Sequence, residues 1–370
     1  MKLVADDKIP FLQGIPELFA DKVVYLHSQE FTHDNIKDAD ILVIRTPNKC
    51  TREKLQNTQV KFIASTTIGF DHIDIDYCRE AGIQWVNSPG CNAVSVSQYI
   101  LATLIELARM QHFSLRDKTV GIVGVGNVGK AVEQACRAYG LSYLKCDPPR
   151  AKAEQSTDFV SLEEIAARCD IISFHVPLTY NGEHATYHLC DEHFFRSLKK
   201  KPYFINAARG AVHDTDALLE AKRAGLIEGM VIDCWENEPN ISQELLSETL
   251  IATPHVAGFS ADGKANGTKM CLDAIAQAFS LRISTEEILP PPPLVPEIDL
   301  DRFPADRRIE NAILSTYSPL KEDKRFRENP EQFEYLRTHY DNPREFSAYQ
   351  VVNATEGEKI ILNNLGFAIG

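Results

Sequence analysis

The stretch Thr119-Val-Gly-Ile-Val-Gly-Val-Gly-Asn-Val-Gly-Lys130 places a short apolar run directly before a glycine-rich turn and a segment that suits a helix. Gly124 permits a tight turn, and Gly126 removes the Cβ that would keep the backbone away from a pyrophosphate. Gly129 allows the helix to pack closely on the strand. The stretch therefore predicts a strand, a turn and a helix that together bind a dinucleotide.

A carboxylate after the next predicted strand decides which dinucleotide is favoured. That strand ends at Asp147, close to the offset of about 20 residues at which a ribose-binding carboxylate is expected. A carboxylate there favours NAD, because it would repel the 2′-phosphate of NADP. Arg150 leaves NADP open, since an arginine could bind that phosphate. We expect NAD, with the first N–H groups of the helix, at Asn127 and Val128, facing its phosphates.

Composition narrows the class of protein. A chain of 370 residues with 44% hydrophobic residues predicts two or three domains. The net charge of −13 disfavours nucleic-acid binding, and no apolar run is long enough to cross a membrane. The nine cysteines lack CxxC spacing, and the first residues lack the features of a secretory signal. We therefore expect a cytoplasmic enzyme.

Strand-like and helix-like segments alternate along most of the chain, which is typical of α/β folds with parallel sheets. A long apolar helix follows Asn92, and the Pro-rich segment 289–296 indicates a stiff linker before an aromatic-rich tail. We predict three domains: a flavodoxin-like substrate domain at 1–95 and 259–285, a doubly wound Rossmann NAD-binding domain inserted at 96–258, and a small α+β C-terminal domain at 286–370.

Three polar residues follow predicted strands of the nucleotide domain. Arg209, Glu238 and His255 each come shortly after such a strand, and ligands bind beyond the carboxyl ends of strands in open parallel sheets. An arginine can clamp a carboxylate with two hydrogen bonds. A glutamate beside a histidine stabilises the imidazolium and suits it to proton transfer. Taken singly, each residue also fits an ordinary surface or loop role.

The order of the surrounding segments resembles the D-isomer specific 2-hydroxyacid dehydrogenases over about the first 280 residues. The segments that carry the resemblance are Asn87–Val96, Gly124–Gly129, Phe174–Leu178, Asn206–Gly210, Asp233–Pro239 and Thr253–Gly258.

The resemblance implies a role for each matching residue. Arg209 would bind the substrate carboxylate, His255 would be the acid/base, and Glu238 would pair with it. Asp233 would meet the nicotinamide carboxamide. The other positions implied to contact the cofactor are Val176, Ala207, Ala208 and Gly258. Val176 stands where the family has a threonine.

Three features resemble one branch of that family, which acts on a phosphorylated 2-hydroxy acid: Arg45-Thr46, the segment Cys146–Arg150 and the long tail. In that branch the tail forms a homodimer and borders the partner's active site.

The branch implies substrate contacts at Arg45, Thr46, Thr67 and Phe259, the last standing where the family has a tyrosine. The two threonines also suit turn caps. Arg344 is a candidate to reach across the dimer, and a surface ion pair explains it equally well.

A cluster of histidines and acids at 184–193 suggests a metal site. It lies where a loop meets an amphipathic helix and no further ligand set converges on it, so we predict no metal. Two alternatives to the phosphorylated substrate stay open. One is another D-2-hydroxy acid, such as 3-phosphoglycerate or glycerate, and the other is a non-catalytic NAD(H)-sensing protein with the same fold.

Overall fold

The computed structural model describes residues 1–370. Its strands are β1 Lys2–Asp6, β2 Lys22–Leu26, β3 Ile41–Ile44, β4 Phe62–Ser65, β5 Gln84–Val86, β6 Thr119–Val123, β7 Ser142–Cys146, β8 Ile171–Phe174, β9 Tyr203–Asn206, β10 Gly229–Ile232, β11 Ile251–Ala252, β12 Glu297–Asp299, β13 Gln350–Val352 and β14 Ala368–Ile369. Its α-helices are α1 His33–Ile36, α2 Arg52–Leu55, α3 Ile75–Ala81, α4 Ala93–Met110, α5 Asn127–Tyr139, α6 Pro148–Glu154, α7 Leu162–Arg168, α8 Glu192–Ser197, α9 Thr215–Arg223, α10 Gln243–Glu248, α11 Ala261–Phe279, α12 Arg308–Thr316, α13 Pro319–Glu328, α14 Phe333–Thr338 and α15 Glu356–Leu365.

The chain forms two compact units. The first contains residues 1–92 and 260–291, and the second contains 93–259 and 292–370. Every paired strand in both units is parallel. The predicted α/β class with parallel sheets is therefore confirmed.

The first unit is built on a five-stranded sheet with the order β2-β1-β3-β4-β5, which is the flavodoxin-like order. Its central strands β3 and β4 are buried along their whole length. This burial explains their unbroken apolar sequences, since a parallel sheet is covered on both faces. One face packs against α11, and the other is covered by the short helices α1 to α3.

The second unit contains a six-stranded sheet with the order β11-β10-β9-β8-β6-β7. The order reverses at β6, whose neighbours are β7 on one side and β8 on the other. A reversal of this kind opens a crevice at the carboxyl ends of the strands, which is where doubly wound sheets bind ligands. The glycine-rich turn after β6 lies at this switch point.

Residues 292–370 of the tail belong to the same compact unit as residues 93–259. Val351 of its small sheet, β12-β13-β14, and Phe367, which directly precedes β14, belong to one hydrophobic cluster with Leu104 of α4 and Val120 of β6. The long apolar helix α4 is buried because both α5 and the tail pack against it. Gln98 of this helix donates a hydrogen bond to Thr316 Oγ1 at 3.1 Å.

The tail also covers the free edge of the nucleotide sheet. Asp323 on α13 accepts a hydrogen bond from the backbone N–H of Ala252 in the edge strand β11, at 2.7 Å. Arg327, one turn further along, donates to the carbonyl groups of Leu246 at 2.8 Å and Thr249 at 2.6 Å. The Asp323 contact occupies a backbone group that an exposed edge strand would leave unpaired, and the Arg327 contacts occupy carbonyl groups at the C-terminal end of α10. None of the helices combines the length and apolarity needed to cross a bilayer.

Candidate active site

The three glycines of the turn after β6 are needed for different structural reasons. A Cβ on Gly129 would lie 2.0 Å from the carbonyl oxygen of Gly124. A Cβ on Gly124, whose φ is +84°, would lie 2.7 Å from Val176 Cγ1. Packing therefore requires glycine at both positions. At Gly126 no protein atom lies within 4 Å of the Cβ position, so this residue leaves space for a ligand to approach the backbone.

The start of α5 is suited to an anion. Helices α7, α9 and α10 each begin with a side-chain cap, from Ser161, Asp214 and Ser242. Helix α5 follows Gly126 and has no such cap. Its first N–H groups, at Asn127, Val128 and Gly129, therefore face outward at the positive end of the helix dipole, where a pyrophosphate binds well.

Asp147 links the glycine turn to the next helix. Its carboxylate accepts hydrogen bonds from the N–H of Val125 at 2.8 Å and of Arg150 at 3.0 Å, and each oxygen retains a lone pair for a ribose hydroxyl. Arg150 is paired with Glu154 through Nε at 2.6 Å and Nη2 at 3.0 Å. Because its charge is already matched, Arg150 does not favour a 2′-phosphate. The residues present fit NAD.

The predicted acid–base pair forms in the second unit. His255 Nδ1 and Glu238 Oε2 are 2.8 Å apart, and Glu238 Oε1 accepts a hydrogen bond from the N–H of Trp235 at 2.8 Å. Burial disfavours ionisation of Glu238, but the hydrogen bond and charge of His255 outweigh it and hold the pKa of this carboxyl below its ordinary value. Glu238 is therefore an acceptor at neutral pH, so Nδ1 of His255 carries the proton.

Asp233 holds the loop that presents His255. This buried carboxylate accepts hydrogen bonds from Thr253 Oγ1 at 2.6 Å and from the N–H groups of Val256 at 2.8 Å and Ala257 at 3.2 Å. His255 itself has a φ of +56°. Residues other than glycine seldom adopt this backbone conformation, and it persists where surrounding contacts enforce it. The structure therefore shows Asp233 as the residue that positions the histidine, and its predicted contact with nicotinamide stays a prediction.

Arg209 lies on a loop that is pressed against the loop of the acid–base pair. A Cβ on the next residue, Gly210, would lie 1.9 Å from the carbonyl oxygen of Trp235. Asn206 shapes the turn by accepting from the N–H of Ala208 at 3.0 Å and donating to the carbonyl of Arg209 at 2.9 Å. Arg209 is near enough to Cys234 for its positive charge to act on that thiol and to oppose, in part, the effect of burial on its pKa.

Cys234, Glu238 and His255 have side-chain ligand atoms within 4.8 Å of one another, a spacing that a metal ion could use. Sequence reasoning paired Glu238 with His255 but gave no role to Cys234, which lies in the same segment as Glu238. Burial raises the pKa of the Cys234 thiol well above its ordinary value. The other two members of the cluster, Glu238 and His255, form the predicted acid–base pair.

The residues predicted to contact substrate in the first unit lie at the carboxyl edge of its sheet. Arg45 directly follows β3, and its Nε donates to Asp6 Oδ1 at 2.8 Å. Thr46 is exposed. The hydroxyl of Thr67 already donates a hydrogen bond within its own loop, to the carbonyl of Gly69 at 3.1 Å. Arg45 thus already has a matched charge, which the sequence did not reveal.

The tail supplies a cation that sequence reasoning missed. The guanidinium of Arg337 on α14 lies 5.9 Å from the ring centre of Phe259, and its positive charge contributes to lowering the pKa of Glu238. Arg344, the cation predicted from sequence, lies on the loop after α14, where its carbonyl accepts a hydrogen bond from Gln98 at 3.2 Å. No local motif distinguishes Arg337 from the other arginines of the tail.

Comparison with known proteins defines the class. Residues 95–257 match the model of the D-isomer specific 2-hydroxyacid dehydrogenase NAD binding domain, and residues 288–366 match a domain of unknown function (DUF3410). Among solved structures, a 3-phosphoglycerate dehydrogenase from Entamoeba histolytica with bound NAD+ has a TM-score of 0.64 at 26% identity, covering 76% of this chain and 95% of that one. A D-lactate dehydrogenase from Aquifex aeolicus, complexed with NAD and lactic acid, has a TM-score of 0.60 at 26% identity and the same coverage.

Curated relatives narrow the class. A protein of Porphyromonas gingivalis named erythronate-4-phosphate dehydrogenase is 51% identical over 99% of this chain and 100% of its own length. A protein of the same name from Shewanella loihica is 37% identical over 100% of this chain and 99% of its length. The chain belongs to the D-isomer specific 2-hydroxyacid dehydrogenases and, within them, to the erythronate-4-phosphate dehydrogenase family. The predictions of an NAD-dependent enzyme and of its family are confirmed.

Proposed function

We propose that the protein oxidises 4-phospho-D-erythronate to (R)-3-hydroxy-2-oxo-4-phosphooxybutanoate in pyridoxal 5′-phosphate biosynthesis. The observation that carries the chemistry is the 2.8 Å hydrogen bond between Glu238 and His255, placed at the carboxyl edge of an NAD-binding sheet. The substrate follows from relatives that match nearly the full chain and carry the name of this activity.

His255 acts as the base in this scheme. Its Nδ1 proton points to Glu238, so Nε2 has the lone pair that accepts the proton of the C2 hydroxyl. Arg209 binds the substrate carboxylate and the oxygen at C2, and Glu238 stabilises the imidazolium that forms. NAD, when bound, accepts the hydride that leaves C2. The products are NADH, a proton held by His255 and the 2-oxo acid.

The substrate test uses the purified full chain, NAD and a panel of 2-hydroxy acids, with NADH fluorescence as the readout. We expect 4-phosphoerythronate to give the highest kcat/KM. An equal or higher value for 3-phosphoglycerate or glycerate would favour a dehydrogenase of another D-2-hydroxy acid. Binding of NADH without turnover of any member of the panel would favour the sensing protein.

A homodimer through the tail forms part of the proposal. Support comes from large apolar side chains that the single chain leaves in solvent there, among them Leu294, Val295 and Ile360, with exposed fractions of 103%, 66% and 63%. Arg344 stays the candidate to reach the partner's substrate. Sedimentation of the full chain should give about twice the mass of 41.5 kDa, and Ile360→Glu should shift it towards one chain. A wild-type protein that sediments as a single chain would contradict the dimer.

We also propose a cytoplasmic location. All nine cysteines are buried and free, as expected of a chain that folds in a reducing compartment. Cell fractionation would test this location directly.

A further inference from the structure

Trp235 contacts all three segments that carry the predicted catalytic residues. Its backbone N–H donates to Glu238 Oε1 at 2.8 Å, and its indole N–H donates to the carbonyl of Thr253 at 2.9 Å. Its own carbonyl oxygen leaves no room for a Cβ on Gly210, the residue after Arg209. A shift of Trp235 would therefore disturb the carboxylate, the loop of the histidine and the loop of the arginine together.

The carbonyl of Thr253 is a sensitive point in the loop of His255. The backbone N–H of His255 also donates to this oxygen, at 3.0 Å, and His255 has the uncommon φ of +56°. A conformation of this kind persists only where the surrounding contacts enforce it. The indole N–H of Trp235 binds the same oxygen and so helps to hold the histidine in place.

The tail packs directly on this indole. Trp235 is 2% exposed, and its ring meets that of Phe326 on α13 edge to face, with the ring centres 5.7 Å apart. Phe326 is fully buried and packs in turn on Phe333 of α14, at 5.6 Å. Three positions before Phe326, Asp323 accepts the backbone N–H of Ala252, in the strand that leads to the histidine. One helix of the tail therefore contacts both the indole and that strand.

We propose that Trp235 is a positioning residue for the acid–base pair and that Phe326 holds it in that position. A tryptophan suits this role because its ring packs in the core while its N–H fixes one hydrogen bond. The tail then contributes to catalysis within its own chain, separately from the proposed homodimer. The inference rests on the proposed function for the roles of Glu238 and His255, and it applies to any 2-hydroxy acid that the enzyme oxidises.

The test compares four variants of the full-length protein. Trp235→Phe keeps an aromatic ring and the backbone N–H but removes the indole donor. Phe326→Leu removes the ring that packs on the indole, and the double variant combines both changes. Phe346→Leu is the matched control, because Phe346 is another buried phenylalanine of the tail and stacks on Phe367 at 4.5 Å in a different hydrophobic cluster. Both leucine variants lose a similar buried volume.

We expect Trp235→Phe to lower kcat by about 5- to 20-fold, because a small displacement of a catalytic group is costly. The KM for NAD should change by less than about twofold. Phe326→Leu should lower kcat by about 3- to 10-fold. The double variant should lie within about twofold of Trp235→Phe, since Phe326 acts through the indole.

Phe346→Leu should keep the kcat of wild type. A wild-type kcat in Trp235→Phe would overturn the proposal. So would losses that multiply in the double variant, or a loss in Phe346→Leu equal to that in Phe326→Leu, because each would mean that the tail affects the rate only through general stability.

A measurement without substrate separates this inference from the proposed function. The chain has two tryptophans, so isotope labelling of the indoles gives two N–H signals in NMR spectra, and Trp235→Phe identifies the signal of Trp235 by its loss. Exchange of this proton with solvent should be about tenfold faster in Phe326→Leu than in wild type and unchanged in Phe346→Leu. If no 2-hydroxy acid is oxidised while this difference persists, the proposed function is wrong and the hold of the tail on Trp235 stands. If Phe326→Leu leaves the exchange unchanged, the tail does not hold Trp235 and the proposal is wrong.

Discussion

Two pairs of a carboxylate and a basic side chain lie at the carboxyl edges of two different parallel sheets. Glu238 and His255 are 2.8 Å apart in the second unit, and Asp6 and Arg45 are 2.8 Å apart in the first. The carboxylate is the less exposed partner in both pairs. The pairs differ in the basic side chain, which is His255 in one and Arg45 in the other. A histidine exchanges protons near neutral pH, whereas an arginine does not. Similar geometry therefore suits one pair to proton transfer and gives the other a fixed charge.

The largest loss of activity should come from removing His255, the member of the two pairs that can exchange a proton. We expect His255→Ala to lower kcat by about 10²- to 10⁴-fold, the usual contribution of a positioned acid or base. The affinity for NAD, measured by fluorescence titration, should stay within about threefold of wild type, because the glycine turn is untouched. A loss of NAD affinity in proportion to the loss of turnover would contradict the assigned role.

The charge of Glu238 should matter less than the histidine itself. Glu238→Gln keeps an oxygen acceptor but removes the charge, so we expect kcat to fall by about 10- to 100-fold, the effect of one charge-assisted hydrogen bond. Glu236→Gln is the control, since Glu236 forms another carboxylate–histidine pair, with His188 at 2.7 Å. If both variants lose the same activity, the effect is not specific to the catalytic pair.

Asp6→Asn tests the fixed pair through stability. Burial disfavours the ionised form of Asp6, yet hydrogen bonds from Arg45, Ser28 and the N–H of Lys8 hold its pKa below the ordinary value. We expect Asp6→Asn to lower the free energy of unfolding by about 1.5–3 kcal/mol at pH 7, as measured by urea denaturation.

The pH dependence has a definite sign. A lowered carboxyl pKa stabilises the folded state above the unfolded value of about 3.9 and loses this effect as the pH falls through the folded pKa. The difference between wild type and Asp6→Asn should therefore shrink below about pH 4. Asp76→Asn, at a carboxylate that is 83% exposed, should show little difference at any pH. A constant difference for Asp6→Asn down to the folded pKa and beyond would contradict the ionic origin.

The smallest effect should come from Arg337. Its positive charge favours ionised Glu238, so Arg337→Met should raise the pKa of Glu238 and move the acidic limb of the kcat profile to higher pH. We expect a loss of about two- to fivefold at neutral pH, typical of one partly exposed charge. Arg337→Lys should restore the wild-type profile. A profile that is unchanged in Arg337→Met would show that the tail does not influence the acid–base pair.

Much of the second unit was predictable from sequence. The turn at Gly124 to Gly129 combines a strand, a tight turn and a helix start within one short segment, so local spacing is sufficient to identify it. Arg209, Glu238 and His255 could be predicted because each follows its own strand, and parallel strands bring their carboxyl ends to one edge. The structure places Glu238 and His255 in direct contact.

The tail was harder to predict. Its aromatic residues indicated a folded segment, but nothing local showed that Val351 and Phe367 would share a core with α4. An amphipathic sequence specifies that a face will be buried and does not specify the surface that buries it. Residues 292–370 belong to the same compact unit as the nucleotide-binding sheet, and their packing against it has no local signal in the sequence.

The sequence by itself determined the α/β class and the family of NAD-dependent enzymes, and it predicted the glycine turn and the acid–base pair, because periodicity and short motifs report local structure. Only the tertiary structure decided that Arg45 pairs with Asp6 and that Arg337 lies beside Phe259. These contacts join segments far apart in the chain. They depend on how helices pack across the sheets, and a charge carries no local signal of the partner that packing will bring to it.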